Sequence, residues 1–293
     1  MGKALHATNS HLSALYKDAE QVLGYDLGAL CFEGPAEQLN QTEYTQPALL
    51  VTSVAAFQLV KDGPIIPSAV AGHSLGEYTA LVAAGAIGFR EAVRLVHKRG
   101  QYMAEAVSPG SGLVAAVLGL SELEVSAVCQ EAEVLGVVAP ANLNSPGQTV
   151  IAGEKSAVER ALELAKTRGA KRVKALPVSV PVHTSLMQVA ADRLKKDIDS
   201  LEWSDLKVPL INNVDAKAIF SADEVRVSLV RQLPSSVRWQ ETIQTMWTMG
   251  ITHFIEIGPG KVLTGLVKRI VPEAETWNIF DQESYDHVLS HVA

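Results

Sequence analysis

The sequence predicts an α/β protein of two interleaved units, on three observations. A short apolar run over 68–71 leads into Gly72-His73-Ser74-Leu75-Gly76 and then into an Ala-rich helical run, the signature of a strand turning sharply into a helix. Residues 112–178 read in the order β-α-β-β-α-β, a ferredoxin-like split pattern. Helix and strand signals resume on both sides of that segment, so the small unit is expected as an insertion within a larger layered one. The expected division is 1–110 with 180–293 for the large unit and 111–179 for the small one.

Each element has a local reason. Residues 9–24 are amphipathic, with Leu12, Leu15, Tyr16 and Val22 near one face. In 45–60, Thr45 suits an N-cap and Pro47 the first turn. "PSAVAG" predicts a short buried strand, "LGEYTALVAAGA" a helix, and "FREAVRLVHKRGQYMAEA" a second helix. In the small unit, "GLVAAVLGL", "VVAPANLN", "QTVIAG" and "RVKALPVSV" are strand-like, and "SELEVSAVCQEAE" and "EKSAVERALELAKTRG" are helical. Beyond it come a helix over 183–199, a strand over 208–215, a helix over 223–233 and a strand over 251–260 ending in a tight turn.

At 293 residues the chain is long enough to bury a substantial core. Apolar residues make up 47% and charged residues 19%, which is ordinary for a globular enzyme. A formal charge of −7 argues against a nucleic-acid binder. Cys31 and Cys129 are the only cysteines, without metal-site spacing, so neither a disulfide framework nor a metal centre is expected. There is no apolar run of membrane-spanning length and no apolar core in "MGKALHATNS". The expectation is a cytoplasmic protein, independent of membranes.

Gly72-His73-Ser74-Leu75-Gly76 fits G-x-S-x-G, a strained corner of α/β-hydrolase-like sheets that presents a serine hydroxyl, with a parallel sheet expected behind it. The Leu75 N–H and the positive end of the next helix would face the same space. The competing reading is a structural turn. A serine nucleophile needs a base. His6, His11, His287 and His291 lie near the termini and read as solvated; His73 adjoins Ser74 but reads as packing or substrate contact. His183 follows a predicted strand end, where catalytic side chains gather. On position alone, a satisfied structural histidine competes with a base.

"GHSLGEY", "KRGQYM", "NLNSPGQTVIAG", "PVSVPVHTSLM", "NNVDAK", "VRQL" and "IGPGKVLTGLVKRI" occur in the order found in malonyl-CoA:acyl-carrier-protein transacylases, and the chain resembles that family from about residue 20 to 270. The resemblance implies transfer of malonyl from malonyl-CoA, through an ester on Ser74, to the phosphopantetheine thiol of acyl carrier protein in fatty-acid synthesis. His183 would be base and then acid, oriented by a backbone carbonyl at Gln232. Arg99 would clamp the free carboxylate of malonate, a contact worth about 1.5–3 kcal/mol. Its plain alternative is a cation near a helix end. Leu75 suits malonyl selectivity, and His73, Asn142, Asn144 and Val180 would line the acyl pocket. No cofactor beyond the thioester substrates is implied, and a monomer is expected. Lys171, Arg172 and Lys174, or Lys195 and Lys196, are candidates for steering the acidic carrier.

One departure stands out. Members of the family usually begin with a buried strand running into "GQGSQ", whose glutamine supplies a second oxyanion donor, whereas "MGKAL" resembles the piece that follows it. The expectation is that this strand and loop are missing, with weak activity or stability as the result, because losing one such donor costs about 10²–10³ in turnover. Two rival functions remain. A serine thioesterase would use the same corner but release free malonate, and a carrier-binding remnant would form no ester.

Overall fold

The computed structural model describes residues 1–293 apart from Asn9, Asp62, Ser179 and Ala293 and the side chains of Thr8, Ser10 and His11. The solvated reading of His11 therefore lies outside the described side chains.

Five helices open the chain: α1 (Lys3–Thr8), α2 (Ser10–Leu23), α3 (Leu27–Glu33), α4 (Ala36–Leu39) and α5 (Thr42–Lys61). α5 begins at Thr42, not Thr45, and Pro47 stands inside it. A proline there cannot donate to the carbonyl four residues back, which is that of Glu43. His97 Nδ1 meets that carbonyl at 2.9 Å, so the missing backbone bond is replaced from a neighbouring helix. Thr45 instead turns its hydroxyl to the carbonyls of Leu39 and Gln41. His6 also departs from the solvated reading, since its ring contacts Tyr16 edge-on and Phe32, with Ser13 Oγ at 2.9 Å from Nε2.

The expected strand over 67–72 contracts to one parallel bridge between Val70 and Leu210. Then follow α6 (Leu75–Ala83) and α7 (Phe89–Glu105). β1 (Gly112–Leu118), α8 (Glu122–Ala132), β2 (Val138–Ser145), β3 (Gln148–Glu154), α9 (Lys155–Thr167) and β4 (Arg172–Ala175) reproduce the predicted β-α-β-β-α-β order. Their strands form one antiparallel sheet in the order β2-β3-β1-β4. Side chains alternate across it: Ala115 and Val117 join α8 and α9 residues such as Val125 and Val158, whereas Val114 packs with Ala141 and Val150 on the other face. β4 stops at Ala175, short of the predicted end, two residues before Pro177.

The remainder comprises a 3-10 turn (Ser185–Met187), α10 (Gln188–Asp199), β5 (Leu210–Ile211), β6 (Ala218–Ile219), α11 (Ala222–Gln232), α12 (Trp239–Thr248), β7 (His253–Ile257), α13 (Val262–Ile270), β8 (Glu275–Ile279) and α14 (Gln282–Val292). α8 and α11 each begin with a capping box, Ser121 with Glu124 and Ser221 with Glu224. The strand expected over 208–215 is only Leu210–Ile211, because the chain then turns through Asn212 and Asn213. The molecule is a mixed α/β structure. Among the described residues, parallel pairing is limited to β7 with β8, the Val70 bridge and a second bridge between Asn142 and Val237. A cleft of about 1100 Å³ runs between these strands, with Val70, Ala71, Gly72, Phe254, Ile255 and Ile257 among its lining residues. Among the described residues no helix is long and apolar enough to cross a membrane.

The main core packs α2, α5, α6, α7, α10 and α11 through residues such as Leu12, Leu50, Leu81, Val96, Leu194 and Leu229. Two backbone junctions bring distant segments beside residue 74. Val70 N–H donates to Pro209 and Ile211 N–H to Val70, both at 2.9 Å. Leu143 N–H donates to Val237 and Val237 N–H to Ala141, again at 2.9 Å, tying β2 to the start of α12.

Candidate active site

Gly72 is dictated by space. A methyl group there would lie 1.9 Å from the Gly76 carbonyl carbon and 2.5 Å from the Glu77 nitrogen. Gly76 carries no such demand, because a Cβ would meet nothing within 4 Å. The corner therefore demands a glycine at 72 and not at 76. Between them Ser74 adopts φ 52° and ψ −105°, a backbone conformation that L residues rarely accept. It occupies the N-cap of α6 without capping it, so its hydroxyl faces other partners.

Those partners are His183 and Arg99. Ser74 Oγ lies 2.8 Å from His183 Nε2, and Arg99 Nη2 donates to the same oxygen at 3.1 Å. His183 Nδ1 faces two carbonyls, Gln232 O at 2.9 Å and Ser235 O at 3.1 Å. Carbonyls only accept, so Nδ1 carries the proton and Nε2 offers its lone pair to the serine hydroxyl. Burial and then the Arg99 cation push the His183 pKa down to about 3, against the pull of its two carbonyl partners. The imidazole is therefore neutral across the neutral range.

Arg99, on α7, is 1% exposed. Nη1 donates to Gln46 Oε1 at 2.7 Å, and Nη2 also donates to Gln232 Oε1 at 3.1 Å. The Tyr78 ring lies 5.4 Å from the guanidinium carbon. Burial lowers the Arg99 pKa, partly offset by Tyr78 and Glu77. Gln232, at the end of α11, has both halves of its amide engaged: Nε2 donates to the Ser74 carbonyl at 3.0 Å and to Glu77 Oε2 at 2.9 Å.

Of the other predicted residues, Leu75 and His73 flank Ser74, whereas Val180 is not among the residues that line the cleft. Leu75 is buried at the first turn of α6, and among the described residues its N–H meets no acceptor in the protein. His73 Nε2 donates to Asn144 Oδ1 at 2.8 Å, and its ring sits 5.5 Å from that of Trp239. Burial lowers the His73 pKa. His73, Asn142 and Asn144 line the 1100 Å³ cleft, and Asn142 Oδ1 is buried without a partner among the described residues. Val180 is half-buried upstream of His183 and packs on the main core. Lys171, Arg172 and Lys174 are exposed on or beside β4; Lys195 and Lys196 are exposed on α10, where Lys195 pairs with Asp199. Among the described residues no group of three or more metal-binding side chains converges.

Four contributors escaped the sequence reading: Gln46, Glu77, Asn213 and Ser235. Glu77 is fully buried, and burial pushes its carboxyl up to about 7 despite donors from Gln232 and the Asn213 N–H and the nearby Arg99 charge. An acidic residue three places after Ser74, on the inward side of a short apolar helix, is the signal that could have found it.

The acyl transferase domain profile matches residues 1–281. The malonyl CoA-acyl carrier protein transacylase of Escherichia coli (strain K12) is 51% identical over 257 residues, covering 87% of this chain and 83% of that one. The chain belongs to this transacylase family. A solved malonyl CoA-acyl carrier protein transacylase from Coxiella burnetii superposes with a TM-score of 0.97 at 47% identity, covering 100% of this chain and 93% of that chain. A malonyl-transacylase solved in complex with its type II PKS acyl-carrier protein gives 0.96 at 46% identity, covering 99% and 94%. The transacylase family accounts for the chain as a whole, small antiparallel sheet included.

Proposed function

We propose that this protein is an acyl-carrier-protein S-malonyltransferase of fatty-acid synthesis, moving malonyl from malonyl-CoA to the phosphopantetheine thiol of acyl carrier protein. Family membership supports the reaction, and one observation supports the assignment of roles. A single hydroxyl, Ser74 Oγ, is shared by an imidazole nitrogen at 2.8 Å and a guanidinium at 3.1 Å.

In the first half-reaction Ser74 Oγ attacks the thioester carbon while its proton passes to His183 Nε2. The developing oxyanion takes the Leu75 N–H and the positive end of α6. The carbon–sulfur bond breaks, and His183 returns the proton to the CoA sulfur. The second half runs in reverse, with the carrier's thiol giving its proton to His183 as its sulfur takes the acyl group from Ser74. The Gln232 and Ser235 carbonyls keep the imidazole in the required tautomer throughout. One methylene separates the two carboxyl carbons of malonyl, so a guanidinium beside the attacking oxygen suits the free carboxylate.

Gln232 is a positioning residue for both His183 and Arg99, and His73, Asn142 and Asn144 shape the acyl pocket. CoA and phosphopantetheine thioesters are substrates, and no cofactor is required. We read 1–110 with 180–293 as an α/β-hydrolase-like unit and 111–179 as an inserted ferredoxin-like one. Separate apolar clusters on either side of that division support this reading. A cytoplasmic monomer, steering its acidic carrier through Lys171, Arg172 and Lys174 and acting on neither nucleic acid nor membrane, completes the proposal.

The test is the intact mass of the chain after brief exposure to malonyl-CoA, followed by addition of holo acyl carrier protein. One malonyl on Ser74, then passed to the carrier, is expected. Release as free malonate would favour a thioesterase, and no adduct would favour a binding remnant.

A further inference from the structure

The corner that presents Ser74 is held from outside its own segment. Ser74 N–H donates to Asn213 Oδ1 at 2.7 Å, and Asn213 Nδ2 donates to the Gly72 carbonyl at 2.7 Å. One carboxamide thus grips the chain on both sides of His73, using its acceptor on one strap and its donor on the other. The first turn of α6 reaches only the His73 and Ser74 carbonyls, through the Gly76 and Glu77 N–H groups at 2.9 and 3.2 Å, and leaves the Ser74 N–H and Gly72 carbonyl to Asn213.

Asn213 is itself fixed. It is fully buried, its carbonyl accepts from Arg238 N–H at 2.9 Å, and its N–H donates to Glu77 Oε2 at 3.1 Å. The same Glu77 oxygen accepts from Gln232 Nε2, and Gln232 Oε1 accepts from Arg99. The Asn213 backbone N–H therefore begins a continuous chain of bonds that ends on the guanidinium. The preceding Asn212 anchors the turn, with Nδ2 donating to Ser228 Oγ at 2.9 Å and Oδ1 accepting from Lys217 N–H at 3.1 Å.

We infer that Asn213 is a positioning residue of the transfer reaction, its carboxamide a clamp that holds the Ser74 corner in its reactive geometry. The inference rests on Ser74 being the nucleophile. Asn213 touches no substrate, so its removal should slow attack with little effect on thioester binding.

The experiment compares the full chain with Asn213→Ala and Asn213→Asp well below their melting temperatures. Two rates are measured: ester formation from malonyl-CoA, and labelling of Ser74 by a small phosphonofluoridate that lacks a carboxylate. Asn213→Ala is expected to lower both maximal rates by about 10²-fold while the KM for malonyl-CoA changes by less than about threefold. Asn213→Asp offers the acceptor in either protonation state and the donor only when its buried carboxyl is protonated, so its rates should lie between wild type and alanine; it carries the test if the alanine variant does not fold. Folded variants with wild-type rates, or a loss confined to KM, would overturn the clamp. A wild-type chain labelled by the phosphonofluoridate but not by malonyl-CoA would overturn the transfer reading alone, with the Asn213 comparison still read from labelling. A chain labelled by neither would overturn both.

Discussion

Ser74 and His183 stand 109 residues apart in the chain, yet their side chains meet at 2.8 Å and both backbones hold positive φ, 52° and 61°. The Ser74 corner and the His183 turn are each disfavoured locally, at about 1–3 kcal/mol for a sparsely populated backbone state. Tertiary bonds from Asn213, Leu233 and Gln232 hold them. Ser74→Ala should abolish the malonyl adduct, and His183→Ala should slow its formation by about 10²–10⁴-fold. Quenched-flow mass measurement checks both.

The active form of His183 is neutral, and its pKa of about 3 lies below the 6.5 of a free histidine. The acid limb of kcat/KM should therefore fall well below 6.5. Arg99 is the second cause of that depression, so Arg99→Gln should move the limb upward. For stability, the unfolded chain takes up a proton below 6.5 that the folded chain refuses until about 3, so folding free energy is lost as pH falls through that window. Glu77 acts oppositely, because its carboxyl holds a proton between 4.5 and about 7 that the unfolded chain releases. Its contribution is lost as pH rises, and Glu77→Gln should remove that component from a series of melting curves.

Arg99→Ala should compress selectivity more than it slows generic acyl transfer. Losing a charge-assisted contact of about 1.5–3 kcal/mol lowers the malonyl-to-acetyl ratio by one to two orders of magnitude. Competition between the two thioesters, read as adduct masses, gives that ratio directly.

The two glycines of the corner should respond differently. Gly72→Ala drives a methyl group into the Gly76 carbonyl, with an expected cost of at least about 1–3 kcal/mol and loss of the adduct. Gly76→Ala meets open space inside the first turn of a helix and should leave stability unchanged or raised by up to about 1 kcal/mol. Chemical denaturation of both variants tests the pair.

His97→Ala should cost about 1 kcal/mol by stranding the Glu43 carbonyl that Pro47 cannot serve. Pro47→Ala supplies an N–H for that carbonyl, so the penalty of His97→Ala should shrink in the double variant. A double-mutant cycle of unfolding free energies measures the coupling.

Local signals made much of this legible. The β-α-β-β-α-β unit was readable because its strands are short apolar runs set off by turn residues and α8 carries its cap within the sequence, Ser121 with Glu124. Ser74, His183 and Arg99 were readable through their motifs. The partners that hold them were not, because Asn213, Glu77 and Gln46 act through single bonds to residues far along the chain, and such pairings leave no periodic trace. The strands over 67–72 and 208–215 were overread for a related reason. An apolar run predicts burial, and it becomes an extended ladder only where neighbouring strands pair along its length.

Arg99 is met by two uncharged carboxamides, Gln46 and Gln232, and among the described residues no carboxylate touches it. If Arg99 takes the substrate carboxylate as proposed, the incoming thioester brings the counter-ion with it, and no internal ion pair has to be torn open to admit it. On the proposed reading, the guanidinium keeps both amide acceptors whether or not an acyl group is present, so no protein carboxylate competes with the substrate's own for it.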